Sequence, residues 1–188
     1  MNPGEKGVRK NSLAARIFFI LCLPVLFFSA SLAWAFNSPW LLEYGFEKYN
    51  VSQTTGLPET ELKRISRSWT EYLNSGDEYW HVAVDTGGGT IELFTPEEQV
   101  HFRDVKQLVW LDYRAMLASL LIVLAYASVS IFRDRGKYRR QVALDVIRGS
   151  AASLLLILIL GAASLLDFDR LFLQFHYLAF TNTYWSAE

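Results

Sequence analysis

Cysteine is almost missing from this chain: Cys22 is the only one, and it sits inside a long apolar run. A single thiol cannot build a disulfide framework, and its place inside an apolar run argues against thiolate catalysis and for Cys22 as a small lipid-facing or packing residue. Histidine is scarce too, with three in 188 residues, His81, His101 and His176. Neither sign of charge dominates: the formal net charge is −1, so nothing in the overall charge points to nucleic-acid binding. Apolar side chains, at 52 % of residues, are what the chain has in quantity.

They are concentrated in three runs. Residues 17–36, IFFILCLPVLFFSASLAWAF, contain no charge, and neither do residues 115–132 or 149–166. At about 1.5 Å rise per residue, twenty helical residues reach roughly 30 Å, the thickness of a bilayer's hydrocarbon core. Three such runs predict a polytopic helical membrane protein. The first run also has the basic flank and the Ala33-Trp34-Ala35 site of a secretory signal peptide. Signal cores span only about 7 to 15 residues, so retention as an anchor is the expectation.

Charge sets the orientation. Lys6, Arg9, Lys10 and Arg16 precede the first run against Glu5, and residues 133–148 carry six basic and two acidic side chains, 6 − 2 = +4. Residues 37–114 carry seven basic and thirteen acidic, 7 − 13 = −6. Basic flanks stay cytoplasmic. The expected plan is a cytoplasmic N-terminus over 1–16, an extracytoplasmic α+β loop domain over 37–114, a basic cytoplasmic loop over 133–148 and an extracytoplasmic amphipathic segment over 167–188.

Within the outer loop, Leu62, Ile65, Trp69, Tyr72 and Leu73 recur at spacings of three and four after Leu57-Pro58, predicting a helix that Asn74-Ser75-Gly76-Asp77 ends. Then comes VAVDTGGGTIELF, an Asp-Thr-Gly beside further glycines. A phosphate cradle needs a large α/β domain around it, and an aspartic-protease site needs a second carboxylate from a matching lobe. The outer loop has room for neither. The β-rich runs WHVAV and TIELF around Thr86-Gly87-Gly88-Gly89 predict a hairpin whose glycines supply positive φ.

Thr95, Pro96 and Glu98 form a capping box with proline at the first helical position. Nothing before Phe132 interrupts the helix that starts there, so it is expected to run from the outer loop into the second span, with Trp110 and Tyr113 at the interface. Glu98, His101 and Asp104 recur at intervals of three and share one stripe. A carboxylate beside an imidazole holds one tautomer and raises basicity, as a general base requires. The same stripe is also what an ordinary solvated helix face presents. After the third span, Phe168, Leu171, Phe172, Phe175, Leu178 and Ala179 describe an amphipathic helix along the outer interface or under the loop. His176 falls within it, at the expected depth of His101, whereas His81 reads as structural.

The segments EEQVHFRDVK and FDRLFLQFHYLAFTNTYW, with EYGFEKYNVSQTTGLPETELKRISRSWTEYL before them, resemble the lipoprotein intramolecular transacylases over nearly the whole chain after the first span. The resemblance implies a bacterial cytoplasmic-membrane enzyme with its site facing outward. Such an enzyme moves the sn-2 acyl chain of a diacylglyceryl-cysteine lipoprotein to the α-amino group of the same cysteine. It implies no cofactor and no metal, partners limited to diacylglyceryl lipoproteins and membrane lipid, and the two essential histidines at His101 and His176. Family members usually continue past the tryptophan matching Trp185 into a fourth span, whereas this sequence ends at Glu188.

The residues suit that chemistry. An α-amino group with a pKa of about 7.7 to 8.0 is partly neutral at working pH, and an imidazole near 6.5 can take the proton released on attack. Amine and ester belong to one molecule, so no serine or cysteine nucleophile is required. One histidine is expected as base and the other as donor to the oxyanion or the leaving oxygen, with Asp104 and Glu98 orienting His101 and Asn182 as a further polar contact. The small residues Gly149, Ser150, Ala151, Ala152, Gly161, Ala162 and Ala163 either leave room for acyl chains or allow close helix packing. Two other readings of the same residues are a metal site on Glu98, His101 and His176, and a non-enzymatic membrane assembly factor that binds a partner through its outer loop.

Overall fold

The computed structural model describes residues 3–85, 89–132 and 139–185, of which 3–12 are described as backbone alone. Among these the order is α1 (Pro3–Phe36), α2 (Pro39–Lys48), α3 (Val51–Thr55), α4 (Glu59–Asn74), β1 (Ala83–Asp85), β2 (Thr90–Glu92), α5 (Pro96–Phe132), α6 (Arg139–Leu166) and α7 (Phe168–Ala179). The fold is mainly α. The chain divides into two compact units, Met1–Ser31 with Asp112–Phe172, and Leu32–Leu111 with Leu173–Glu188.

Three helices, Leu13–Phe36, Pro96–Phe132 and Arg139–Leu166, are long and apolar enough to cross a membrane. Only 22 %, 6 % and 11 % of their apolar windows are buried inside the protein. Such helices satisfy their own backbone hydrogen bonds and can leave apolar side chains in lipid at no cost. The helix α6 starts at Arg139, so residues 139–148 of the stretch read as a basic loop are helical, while residues 133–138 lie outside the described residues.

In the first unit the helices α1 and α6 approach at Gly149, where an added Cβ would overlap the Leu23 side chain. Phe19, 1 % exposed, packs against Tyr126 of α5 with ring centroids 4.5 Å apart and planes tilted by 31°. Cys22 is buried in the same unit, so it packs against protein. Of the small residues singled out, Gly149 serves close packing, whereas nothing lies within 4 Å of a Cβ added at Gly161. Overpacking of this kind costs about 1–3 kcal/mol. Gly149→Val is therefore expected to lower stability by that amount in detergent-solubilised protein, measured by thermal unfolding, with Gly161→Val near wild type.

The second unit is built on the stripe read from the sequence. Leu62, Ile65, Tyr72 and Leu73 of α4 are buried, Leu73 completely. Trp80 packs edge-on against Trp69 at 5.0 Å and Phe102 at 5.2 Å, and lies 4.8 Å from Phe94. This aromatic cluster ties α4, the hairpin and the start of α5 together, each ring contact adding about 0.5–1.5 kcal/mol beyond area burial. The hairpin pairs Ala83 with Glu92, Val84 with Ile91 and Asp85 with Thr90, in antiparallel register. It is shorter than the two β-rich runs: the Val82 carbonyl still accepts from the Leu93 N–H at 2.8 Å, but the Val82 N–H donates to the Glu92 side chain at 2.8 Å in place of a strand carbonyl. Gly89 has φ +140°, open to glycine, whereas Thr86, Gly87 and Gly88 lie outside the described residues.

Candidate functional site

Helix α5 begins as the capping box requires. The Thr95 N–H donates to Glu98 Oε2 at 2.8 Å and the Glu98 N–H donates to Thr95 Oγ1 at 3.2 Å. This fixes the entry of α5, and the Trp110 indole N–H, donating to the Leu73 carbonyl at 3.0 Å, secures the helix to α4 further along. His101 is therefore carried on a braced helix, ahead of the charge-free stretch 115–132.

The second imidazole arrives from α7. His176 is 8 % exposed and is that helix's buried residue. The apolar stripe of α7 is open instead, with Phe168 59 % and Leu178 89 % exposed, a face suited to a lipid interface. The ring centroids of His101 and His176 lie 6.1 Å apart with planes 32° from parallel. The pair is walled by aromatic rings. Phe180 lies 4.9 Å from His101 and 5.4 Å from His176, Trp185 lies 4.8 Å from His176, and Phe175 meets His176 edge-on at 5.3 Å.

A polar lattice holds the last turn in place. Asn182 Nδ2 donates to Asp104 Oδ2 at 2.8 Å, joining the segment after α7 to the helix of His101. Asn182 Oδ1 accepts from the Tyr184 N–H at 3.2 Å, and the Asn182 carbonyl accepts from the Trp185 indole N–H at 2.8 Å. His101, His176, Asp104 and Asn182 are thus brought together. Glu98 differs from expectation: it is exposed, and its carboxylate is engaged with the helix cap, where the first turn's unpaired N–H groups attract it. The carboxylate acting on His101 is Asp104. His81 is an exposed surface residue, 3.5 Å from Glu92 and 3.4 Å from the Gln99 side chain.

Sequence reasoning passed over Phe180 and Trp185. Phe180 had a signal, since four residues after His176 it returns to the same helix face. Trp185 had none, because it follows the end of α7, where no periodicity reports direction. Among the described residues no group of three His, Cys, Asp or Glu side chains comes together to hold a metal.

Burial first, and then the neighbouring His176, hold the His101 imidazole below its ordinary value, with Asp104 opposing. His101 Nδ1 is buried without a hydrogen-bond partner among the described residues. The fold thus favours the neutral ring with a lone pair or an N–H open to a ligand. A lowered folded value places the sign: the stabilising contribution is complete above the ordinary pKa of about 6.5 and is lost as pH falls below it towards the folded value. Thermal midpoints taken from about pH 7.5 down to 5 should fall, and the fall should shrink in His101→Gln, which has no proton to bind there.

Residues 17–187 match the family model described as lipoprotein intramolecular transacylase Lit. None of the curated proteins matches the chain. Among solved structures, the membrane-integral lipoprotein intramolecular transacylase Lit from Bacillus cereus superposes with a TM-score of 0.71 at 19 % identity, covering 94 % of this chain and 78 % of that one. A form of the same protein with a histidine-to-arginine mutation gives 0.68 at 19 % identity, covering 98 % and 78 %. Its histidine-to-alanine form gives 0.67 at 18 %, covering 97 % and 78 %. Those likenesses establish the fold, a multi-pass helical membrane protein. By the family match, which takes in all but the first 16 residues and the last one, the chain belongs to the lipoprotein intramolecular transacylases.

Proposed function

We propose that this protein moves the sn-2 acyl chain of a diacylglyceryl-cysteine lipoprotein onto the α-amino group of that cysteine, with His101 as general base. One observation carries the reading: two imidazoles from distant segments stand 6.1 Å apart inside an aromatic enclosure, within a single compact unit. In this reading the site faces outward from the cytoplasmic membrane, the N-terminus (1–16) and residues 133–148 are cytoplasmic, and residues 37–114 and 167–188 are extracytoplasmic.

The neutral amine attacks the ester carbonyl carbon, and a carbon–nitrogen bond forms. The nitrogen becomes acidic as it does so, and His101, kept unprotonated by burial, accepts its proton. The carbon–oxygen bond to glycerol breaks and His176 provides a proton to the departing oxygen, after which a proton passes between the two rings to restore the start. Atoms balance without water or any co-reactant. Asp104 orients the His101 helix face through Asn182, an arrangement supported by their 2.8 Å hydrogen bond. Holding amine and ester together within one substrate contributes about 7–11 kcal/mol through motion already restricted. Positioning is then the protein's main task.

The test is co-expression with a diacylglyceryl lipoprotein and tandem mass spectrometry of its N-terminal peptide. The transfer is an isomerisation, so the parent mass stays the same and fragmentation reveals the N-linked chain. A wild-type protein that yields no N-acyl fragment would refute the reading.

A further inference from the structure

A base that can deprotonate an amine can deprotonate water, and the same ester carbonyl is open to both. Water's attack bonds its oxygen to the acyl carbon, breaks the carbon–oxygen bond to glycerol, and sends the protons to the glyceryl oxygen and the base, releasing a free fatty acid. The danger is real near pH 7. Most of an amine with a pKa of about 7.7 to 8.0 is then protonated and unable to attack, while water is always competent. The site therefore needs a means of keeping its imidazoles dry while the amine is unready.

We propose that Phe180 and Trp185 are the residues that determine acceptor choice, forming an apolar wall over both histidines that admits the amine and shuts out water. This inference rests on the acyl-transfer reading. Phe180 is 9 % exposed and its ring touches both imidazoles, so one side chain covers the base and its partner together. Trp185 covers His176 from a second direction and is strapped there by its indole N–H to the Asn182 carbonyl. Asn182 is fastened in turn to Asp104 on α5. The rings themselves offer an intruding water no hydrogen-bond partner, so a water there could bond only to the imidazoles and would lose its remaining bonds to bulk without replacement. His101 Nδ1 is buried from solvent, as a wall over the base requires.

The experiment uses the full chain, purified in detergent, with a synthetic diacylglyceryl-cysteine peptide in ¹⁸O-labelled water. Two products are counted: the N-acyl isomer by fragmentation, and labelled free fatty acid. In wild type the N-acyl isomer should dominate. Phe180→Ala and Trp185→Ala should each raise the ratio of labelled fatty acid to N-acyl isomer by about tenfold or more, because exclusion of water is what they remove. Trp185→Phe keeps a ring and should stay nearer to wild type. Where an alanine variant does not accumulate as folded protein, leucine at that position is judged by the same ratio. An unchanged ratio in the folded variants overturns the proposal, as does equal loss of both products. If wild type makes the N-acyl isomer but releases as much fatty acid as the variants, the wall alone is wrong. If wild type makes no N-acyl isomer, the acyl-transfer reading fails beneath it.

Discussion

His101→Ala and His176→Ala are each expected to lower the rate of N-acylation by about 10²- to 10⁴-fold, the usual worth of a positioned general acid or base. The double variant should be little worse than either single one, because groups that act as a unit lose their joint effect when the first is removed. Mass-spectrometric fragmentation of the lipoprotein's N-terminal peptide, normalised to enzyme abundance in the membrane, reads the result. Single variants within about threefold of wild type would remove the imidazoles from the mechanism. The pH dependence follows from the same geometry. Burial holds His101 below its ordinary value, so the ring stays competent as base below about pH 6.5. The rate should then climb with the neutral fraction of the amine up to about pH 8, without a second break where an ordinary histidine titrates.

Asp145→Ala is expected to cost about 3–5 kcal/mol of stability, the size seen when one partner of a buried ion pair is removed. Asp145 is fully buried and is the acceptor at the centre of the first unit. Arg16 donates through Nε to Oδ2 at 3.0 Å and through Nη2 to Oδ1 at 3.1 Å, a bidentate pair. Tyr126 donates to Oδ2 at 3.0 Å, Gln141 to Oδ1 at 2.9 Å and Arg148 to Oδ1 at 3.0 Å. One carboxylate thus gathers donors from α1, α5 and α6, the three helices long and apolar enough to cross a membrane. Its removal leaves the Arg16 guanidinium, which is only partly exposed, without its bidentate acceptor, while the half-exposed Arg148 can turn to water. The pair Arg16→Met with Asp145→Leu should recover part of the loss, since apolar replacement of both partners removes the stranded charge. Thermal or denaturant unfolding in detergent measures both. A single variant within about 0.5 kcal/mol of wild type would mean that the cluster is hydrated and adds nothing.

Much of the fold was legible because its signals are local. Charge-free runs of sufficient length mark helices for lipid, and Thr95, Pro96 and Glu98 mark the start of α5 to the residue. The stripe from Leu62 to Leu73 became the buried face of α4, and the glycine-containing stretch separates two paired strands. The same local logic misdirected Glu98: spacing alone placed it on the stripe of His101, and spacing cannot say that the free N–H groups of the first turn compete for a carboxylate. Asp145 and Arg148, counted as loop charges, belong to α6 and to the buried cluster. A sum of charges carries no information about which of them are paired.

By itself the sequence determined which segments are helical, which helices suit lipid, and which imidazoles are available, because periodicity, capping and apolar length act between near neighbours. The tertiary structure alone decided that His101 and His176, 176 − 101 = 75 positions apart, share one aromatic enclosure, and that Asp104 rather than Glu98 joins it. Pairings of that kind depend on how helices close on one another. Many sequences with the same local pattern could satisfy them differently, and only packed side chains select one.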